Sequence, residues 1–281
     1  MKKSMLIILF FIFSISILLL LLILTSFSPR DRAVLFQPLR IFKHDGEVRT
    51  YLLSTPKKID KETRIFVGLH GFTDSARRFA YYTSLHNAVG VDDIVIYPNA
   101  ISPKAGQLSG WNAGFCCGSG REQGVDDAGF IVELVSTVQN EYGIENAKTY
   151  VVGFSNGGFM AQKVAIEHSE VISSAAVVSG AIGTQEQKLV PGNPMPILLI
   201  HGEQDGRIPY AGGAALSDPG FKWLPFEEMK ASWEKVNKNN VSTSVILHPE
   251  LGHSWKGWRI ANFWNKTPET SRAIIRFFDS L

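Results

Sequence analysis

The sequence predicts an α/β fold: a single domain on a mostly parallel central sheet, with helices on both faces and no large lid. Three observations carry this expectation. Apolar, β-branched runs alternate with amphipathic stretches along nearly the whole chain, and strands that alternate with helices need crossover connections and so pair in parallel. The 281 residues are 45% hydrophobic and 19% charged, the balance of a packed domain rather than a disordered chain. The two cysteines, Cys116 and Cys117, are adjacent, so no long loop is stapled and the fold must rest on its core.

The chain opens on Met5 to Leu24, apolar apart from Ser14 and Ser16 and preceded by Lys2 and Lys3. Such a run reaches roughly 30 Å as a helix, the hydrocarbon thickness of a bilayer, and its basic flank would stay cytoplasmic. A cleaved signal has a shorter apolar run and a small-x-small site. The nearest candidate here, Ser26-Phe27-Ser28, is followed by Pro29. Residues 1–28 therefore read as a signal anchor or a signal peptide, with a buried core helix as the remaining alternative. Either signal reading exports residues 29–281, held at the membrane or released after cleavage.

After a polar linker around Ser28 to Arg32, strands are expected at Arg49 to Ser54, Arg64 to Leu69, Ile94 to Pro98, Thr149 to Val152, Ile172 to Val178, Ile197 to His201 and Val241 to His248. Each is a short apolar or β-branched run between turn formers. Helices are expected at Ser75 to Val89, Val125 to Tyr142, Asn156 to His168, Phe226 to Lys238 and Pro268 to Phe278. For the last, Thr267 reads as the N-cap and Pro268 as the first helical residue. Asp126 and Asp127 open their helix as capping or loop-ordering residues. Ile101 to Gly124 contains six glycines and fits no regular element; loops of that length in compact domains are commonly functional. The short interval from Val178 to Ile197 leaves no room for a lid domain.

Charge excludes one class of partner. Lys and Arg number 28 against 26 Asp and Glu, and setting aside Lys2 and Lys3 leaves 26 against 26. Nucleic-acid binding rests mostly on clustered cations, so it is not expected. There is no C-x-x-C and no His cluster with ligand spacing, and Gly118-Ser119-Gly120 lacks the third glycine and preceding strand of a dinucleotide site. No metal and no cofactor are expected.

The chemistry points to Ser155. Gly153-Phe154-Ser155-Asn156-Gly157 lies between a strand and a helix, and G-x-S-x-G in that setting is a nucleophile elbow, whose small residues let the backbone turn sharply under the serine. Serine needs a base to take its proton and a third group to orient that base. In this architecture they follow in the order acid, then histidine. Asp205, in His201-Gly202-Glu203-Gln204-Asp205, and His253, in Gly252-His253-Ser254-Trp255, fall where the order requires. Glu203 and Asp218 are weaker candidates for the acid, and His248 for the base. His70 and His201 read as structural hydrogen-bonders at strand ends; His44, His86 and His168 have no partner pattern. Main-chain N–H groups of Asn156 and Phe72 are the expected oxyanion donors. Trp111 and Trp255 are either pocket walls or core residues. Cys116 and Cys117 are either a vicinal disulfide, which an oxidising compartment favours, or two buried thiols.

These stretches together resemble one family. His70-Gly71-Phe72-Thr73, Gly110 to Gly118 with Val125-Asp126-Asp127, Gly153 to Gly157, His201 to Asp205 with Pro209-Tyr210-Ala211-Gly212-Gly213, and Gly252 to Trp255 look like α/β-hydrolases of the polyhydroxybutyrate depolymerase and feruloyl esterase group, the family-one carbohydrate esterases. The resemblance implies an α/β-hydrolase catalytic domain over 29–281 that cleaves small-molecule or polymeric oxygen esters with Ser155, Asp205 and His253. The chain departs from the family pattern at Phe72 and at Lys256-Gly257, so substrate identity does not carry over. A peptidase or acyltransferase on the same triad is the alternative within enzymes, and an inactive surface binding protein the alternative outside them.

Overall fold

The structure is a computed structural model that describes residues 9–18, 27–101, 108–183, 194–215, 218–238, 241–257 and 267–281. Its centre is an eight-stranded sheet in the order β1-β2-β4-β3-β5-β6-β7-β10. The strands are β1 (Arg40–His44), β2 (Glu47–Ser54), β3 (Ile65–Leu69), β4 (Ile94–Pro98), β5 (Thr149–Phe154), β6 (Ser174–Val178), β7 (Ile197–Gly202) and β10 (Thr243–His248). From β4 to β10 all pairs are parallel, while β1 and β2 form an antiparallel edge. All seven expected strands are present. A small antiparallel hairpin, β8 (Gly213–Ala215) with β9 (Asp218–Trp223), lies outside the sheet.

Both faces of the sheet are buried from β4 through β3, β5 and β6 to β7, which is why these strands read as continuous apolar runs. In β5, Val151 packs into one core while Tyr150, Val152 and Phe154 point into the other; in β3, Val67 and Phe66 divide in the same way. One core is covered by α5 (Asp127–Tyr142), α6 (Asn156–Glu167) and α7 (Phe226–Asn237). The other is covered by α1 (Pro29–Leu35), α2 (Ala76–Thr83) and α8 (Glu269–Asp279). Two short helices, α3 (Leu85–Ala88) and α4 (Ser119–Gln123), lie in the connections.

Four local expectations are corrected. The linker at Ser28 to Arg32 is the start of α1: Ser28 Oγ accepts from the Asp31 N–H and the Asp31 carboxylate accepts from the Ser28 N–H, a capping box with Pro29 in the first turn. The Asp31 carboxylate also accepts from His86 Nε2 at 2.9 Å and Asn87 Nδ2 at 2.8 Å, which ties α1 to α3. The helix expected over Ser75 to Val89 breaks at Ser84, whose φ of 48° ends α2 and starts α3. The last helix starts at Glu269 with Pro268, not Thr267, as its cap residue. Strand β1 was not anticipated, although its turn, Asp45-Gly46 with φ of 49° and 79°, is the strongest short hairpin signal a sequence offers.

The membrane expectation is also corrected. Among the described residues no helix is long and apolar enough to cross a membrane. Of the run Met5 to Leu24 only residues 9–18 are described, as helix; that is about half the roughly 20 residues a span requires. The rest of the run lies outside the described residues. Attachment to a membrane through the N-terminal segment, both as a partner and as a location, is therefore set aside.

One buried ion pair ties the sheet edge to the glycine-rich segment. The Arg49 guanidinium of β2 contacts the Asp127 carboxylate at the start of α5, with both side chains at most 1% exposed, and lies 3.9 Å from the centre of the Phe130 ring. The other Asp127 oxygen accepts the Asn112 N–H at 2.7 Å. Burial pushes the Asp127 pKa up, against the pull of Arg49, so this charge depends on its partners. Asp127→Ala should lower the unfolding free energy by about 3–5 kcal/mol by leaving Arg49 buried and unpaired. Urea titration checks this; a loss below about 1 kcal/mol would contradict the role given to the pair.

Candidate active site

Three loops at the carboxyl edge of the sheet converge on one cleft. After β5 the chain turns at Ser155, whose φ of 56° and ψ of −123° lie outside the ordinary regions for a residue with a side chain. The glycines on either side make the turn possible. A Cβ at Gly153 would collide with the Gly157 carbonyl, and one at Gly157 with the Leu69 carbonyl of the neighbouring strand. The Ser155 N–H donates to Val178 O at 2.9 Å and its carbonyl accepts from Phe159 N at 3.0 Å, so the turn is held from β6 and from α6.

His253 comes from the loop after β10. Its Nε2 lies 2.9 Å from Ser155 Oγ and its Nδ1 lies 2.7 Å from Asp205 Oδ2. Asp205 follows β7, and its other oxygen accepts the N–H groups of Arg207 and Ile208, each at 2.9 Å. Burial alone would raise the Asp205 pKa, but the hydrogen bond and charge of His253 and these two amides outweigh it and hold the group below the usual carboxylate range. The carboxylate therefore stays ionised. With it ionised, Nδ1 of His253 carries the proton and Nε2 faces the serine hydroxyl as an acceptor. The geometry is a Ser–His–Asp triad.

Phe72, one of the two residues expected to donate to an oxyanion, lines the same cleft, and Asn156 directly follows Ser155. The N–H groups of Phe72 and Asn156 donate to no acceptor among the described residues, and Asn156 opens α6, where helical amides are free and the helix dipole is positive. His70 holds the Phe72 loop. Its Nδ1–H donates to Gly71 O at 2.8 Å and its Nε2 accepts the Ala100 N–H at 3.1 Å, which fixes a neutral tautomer. His201 is likewise structural, bonding Ile208 O through Nε2 at 2.9 Å. Of the other acid and base candidates, Glu203 and His248 are not in the triad, His248 pairing within β10 against β7; the Asp218 side chain lies outside the described residues.

The cleft has a volume of about 780 Å³. Phe159, Trp223, Ile208 and Phe154 give it apolar walls; Asp74, Arg78, Tyr82 and Arg207 give it a polar side; and Cys116 and Cys117, joined as a vicinal disulfide, form part of its margin. Neither Trp111 nor Trp255 is among the residues that line it; both rings are buried in the core. Trp111 Nε1–H donates to His70 O at 2.8 Å and its backbone N–H donates to Asn156 Oδ1 at 2.7 Å, so it joins the Phe72 loop to the elbow. Trp255 Nε1–H donates to Ser271 Oγ of α8 at 3.1 Å and the ring packs on Phe79 and Phe154, which anchors the His253 loop. The tryptophan in the cleft wall is Trp223 of β9, which sequence reasoning missed because nothing local marks a strand outside the main sheet. Arg207 was reachable, since it follows Asp205 by two positions.

Burial pushes the His70 pKa down to about 4, against about 6.5 in an unfolded chain. Between those values the unfolded state binds the extra proton, so stability falls as pH drops from about 6.5 to about 4, by about 3 kcal/mol in all. Urea titrations of wild type and His70→Gln across this range should diverge, with the variant the less pH-sensitive. Parallel curves would contradict the assignment.

The comparisons agree with this geometry. The profile of the phospholipase/carboxylesterase family matches residues 53–242. Feruloyl esterase B of Piromyces equi is 26% identical over 185 residues, 63% of this chain and 33% of that protein. Feruloyl esterase C of Emericella nidulans is 25% identical over 182 residues, 60% of each chain. The chain thus spans between one third and three fifths of the length of these relatives. A carboxylesterase structure from Bacillus cereus superposes with a TM-score of 0.56 at 15% identity, covering 83% of this chain and 94% of that one, and so shares the fold. With the elbow, the ordered triad and a family match over most of its length, this chain belongs to the phospholipase/carboxylesterase family of α/β-hydrolases.

Proposed function

We propose that residues 29–281 form a serine carboxylesterase of the feruloyl esterase and polyhydroxybutyrate depolymerase type. The observation that carries this is the continuous relay from Ser155 Oγ through His253 to Asp205, at 2.9 and 2.7 Å, beside two uncommitted main-chain donors. Ser155 Oγ attacks the ester carbonyl carbon as His253 Nε2 takes its proton. The tetrahedral oxygen is received by the N–H groups of Phe72 and Asn156. His253 then gives the proton to the departing alkoxide, the alcohol leaves, and the acyl group stays on Ser155. Water, deprotonated by His253, attacks the acyl-enzyme and releases the acid with serine restored.

Two features favour compact esters over long lipid chains. The interval between β6 and β7 is too short for a lid domain, and the cleft wall carries the Trp223 and Phe159 rings, tilted at 36° with their centres 5.0 Å apart. The relatives named as feruloyl esterases support an aromatic acid as the acyl group.

A panel of nitrophenyl esters of increasing chain length, methyl ferulate and peptide amides tests the reading. The protein should turn over short esters and methyl ferulate, long-chain esters more slowly and amides least. Ser155→Ala should lose on the order of 10⁶-fold in turnover. Equal hydrolysis by the variant would end the proposal, and faster turnover of long-chain esters would contradict the compact-substrate assignment.

A further inference from the structure

A second cluster of chemically capable side chains lies away from the cleft, where the β1–β2 turn meets the start of α5. His44 ends β1, Asp45 is the first turn residue, and Asp126 is the N-cap of α5. One ligand atom from each lies within 4.8 Å of the others. His44 Nε2 is 3.6 Å from Asp45 Oδ2 and 4.0 Å from Asp126 Oδ2. Glu133, about two turns along α5 from Asp126, bonds His44 Nδ1 at 2.6 Å.

The hydrogen-bond pattern leaves a buried imidazole nitrogen beside two carboxylates. With Glu133 accepting from Nδ1–H, the His44 Nε2 lone pair is aimed between two carboxylates. The His44 side chain is only 10% exposed, and its Nε2 has no hydrogen-bond partner among the described residues. A buried polar atom without a partner is costly. Three carboxylates around one imidazole also leave negative charge in excess even if the ring is protonated. A proton on Nε2 would find its acceptors at 3.6 and 4.0 Å, beyond a good hydrogen bond. A metal ion would face ligands close to the right spacing, since donors at about 2.0 Å around a tetrahedral ion stand about 3.3 Å apart. The two His44 pairs, at 3.6 and 4.0 Å, reach that spacing by contractions of about 0.3 and 0.7 Å, which the exposed Asp45 and Asp126 side chains can supply.

We infer that His44 Nε2, Asp45 and Asp126 form a divalent metal site, with Glu133 orienting the histidine from behind. The carboxylate–histidine–metal arrangement is the usual support of such a ligand. One imidazole and two carboxylates, with an open position for water, suit Zn²⁺ better than Ca²⁺, which prefers six or more oxygens. Asp126 serves both roles at once: Oδ1 caps Gly129 N at 2.9 Å, which leaves Oδ2 for the ion. Because Asp127 next to it carries the Arg49 and Asn112 bonds, an ion here clamps the sheet edge to the segment that leads to the cleft margin. Asp126 lies far from His44 and Asp45 in the chain, which is why no sequence motif displays the set.

The test is zinc binding to untagged, chelator-treated protein, read by competition with a zinc indicator and by the thermal midpoint with ZnCl₂, MnCl₂ and CaCl₂. The variants are conservative. Asp45→Asn keeps a residue tolerant of positive φ, Asp126→Asn keeps the helix cap, and His44→Gln and Glu133→Gln keep size. Ester turnover and circular dichroism of each variant verify folding. The inference predicts one Zn²⁺ per chain, bound more tightly than Mn²⁺ or Ca²⁺ and raising the midpoint. Binding should weaken at least tenfold in His44→Gln, Asp45→Asn and Asp126→Asn, and about 10- to 100-fold in Glu133→Gln. Absence of stoichiometric zinc in the wild type, preference for Ca²⁺, or unchanged affinity in folded Asp45→Asn and His44→Gln would overturn it.

Discussion

The turn at Ser155 is the constraint on which the rest depends. A residue with a Cβ at φ 56° and ψ −123° stores on the order of 1–3 kcal/mol of strain, and persists only where the surroundings over-determine it. Here the parallel register does so. Leu69 pairs with Gly153 and Phe154 with Val178, and the helix that follows leaves no volume for a side chain at Gly153 or Gly157. The strain has a use: it lifts the hydroxyl clear of the sheet and frees the Asn156 amide at the helix start.

Around that fixed point the site is assembled from loops that are themselves locked. Trp111 and His70 join the Phe72 loop to the elbow through hydrogen bonds at 2.7 and 2.8 Å. Trp255 holds the His253 loop against α8 and Phe154, and the amides after Asp205 hold its carboxylate. Residues that touch no substrate thus set the distances on which proton transfer depends. A displacement of about 1 Å in such a site can cost two orders of magnitude in rate.

Sequence made the triad legible because each member sits in a strand-to-loop transition with local marks: small residues around Ser155, and short turns after apolar strands for Asp205 and His253. The parallel sheet was legible for the same reason, since strands buried on both faces are nearly pure apolar runs. What was not legible depended on tertiary partners. Trp111 and Trp255 have the composition of pocket walls and differ from Trp223 only in what packs over them. The capping box at Ser28 and the Asp45-Gly46 turn did carry local signals, yet a neighbouring apolar run and a weakly alternating strand masked them. His44 offered no signal at all, because its carboxylate neighbours Asp126 and Glu133 arrive from a distant helix.

If the folded turn is what makes this serine reactive, its reactivity must vanish with the fold. The direct measurement is labelling with a fluorophosphonate, with the adduct mapped by mass spectrometry in native and urea-unfolded protein. The account predicts one fast adduct, on Ser155, in the native state and none at a comparable rate after unfolding. Label spread over several serines, or equal labelling of Ser155 in both states, would contradict it.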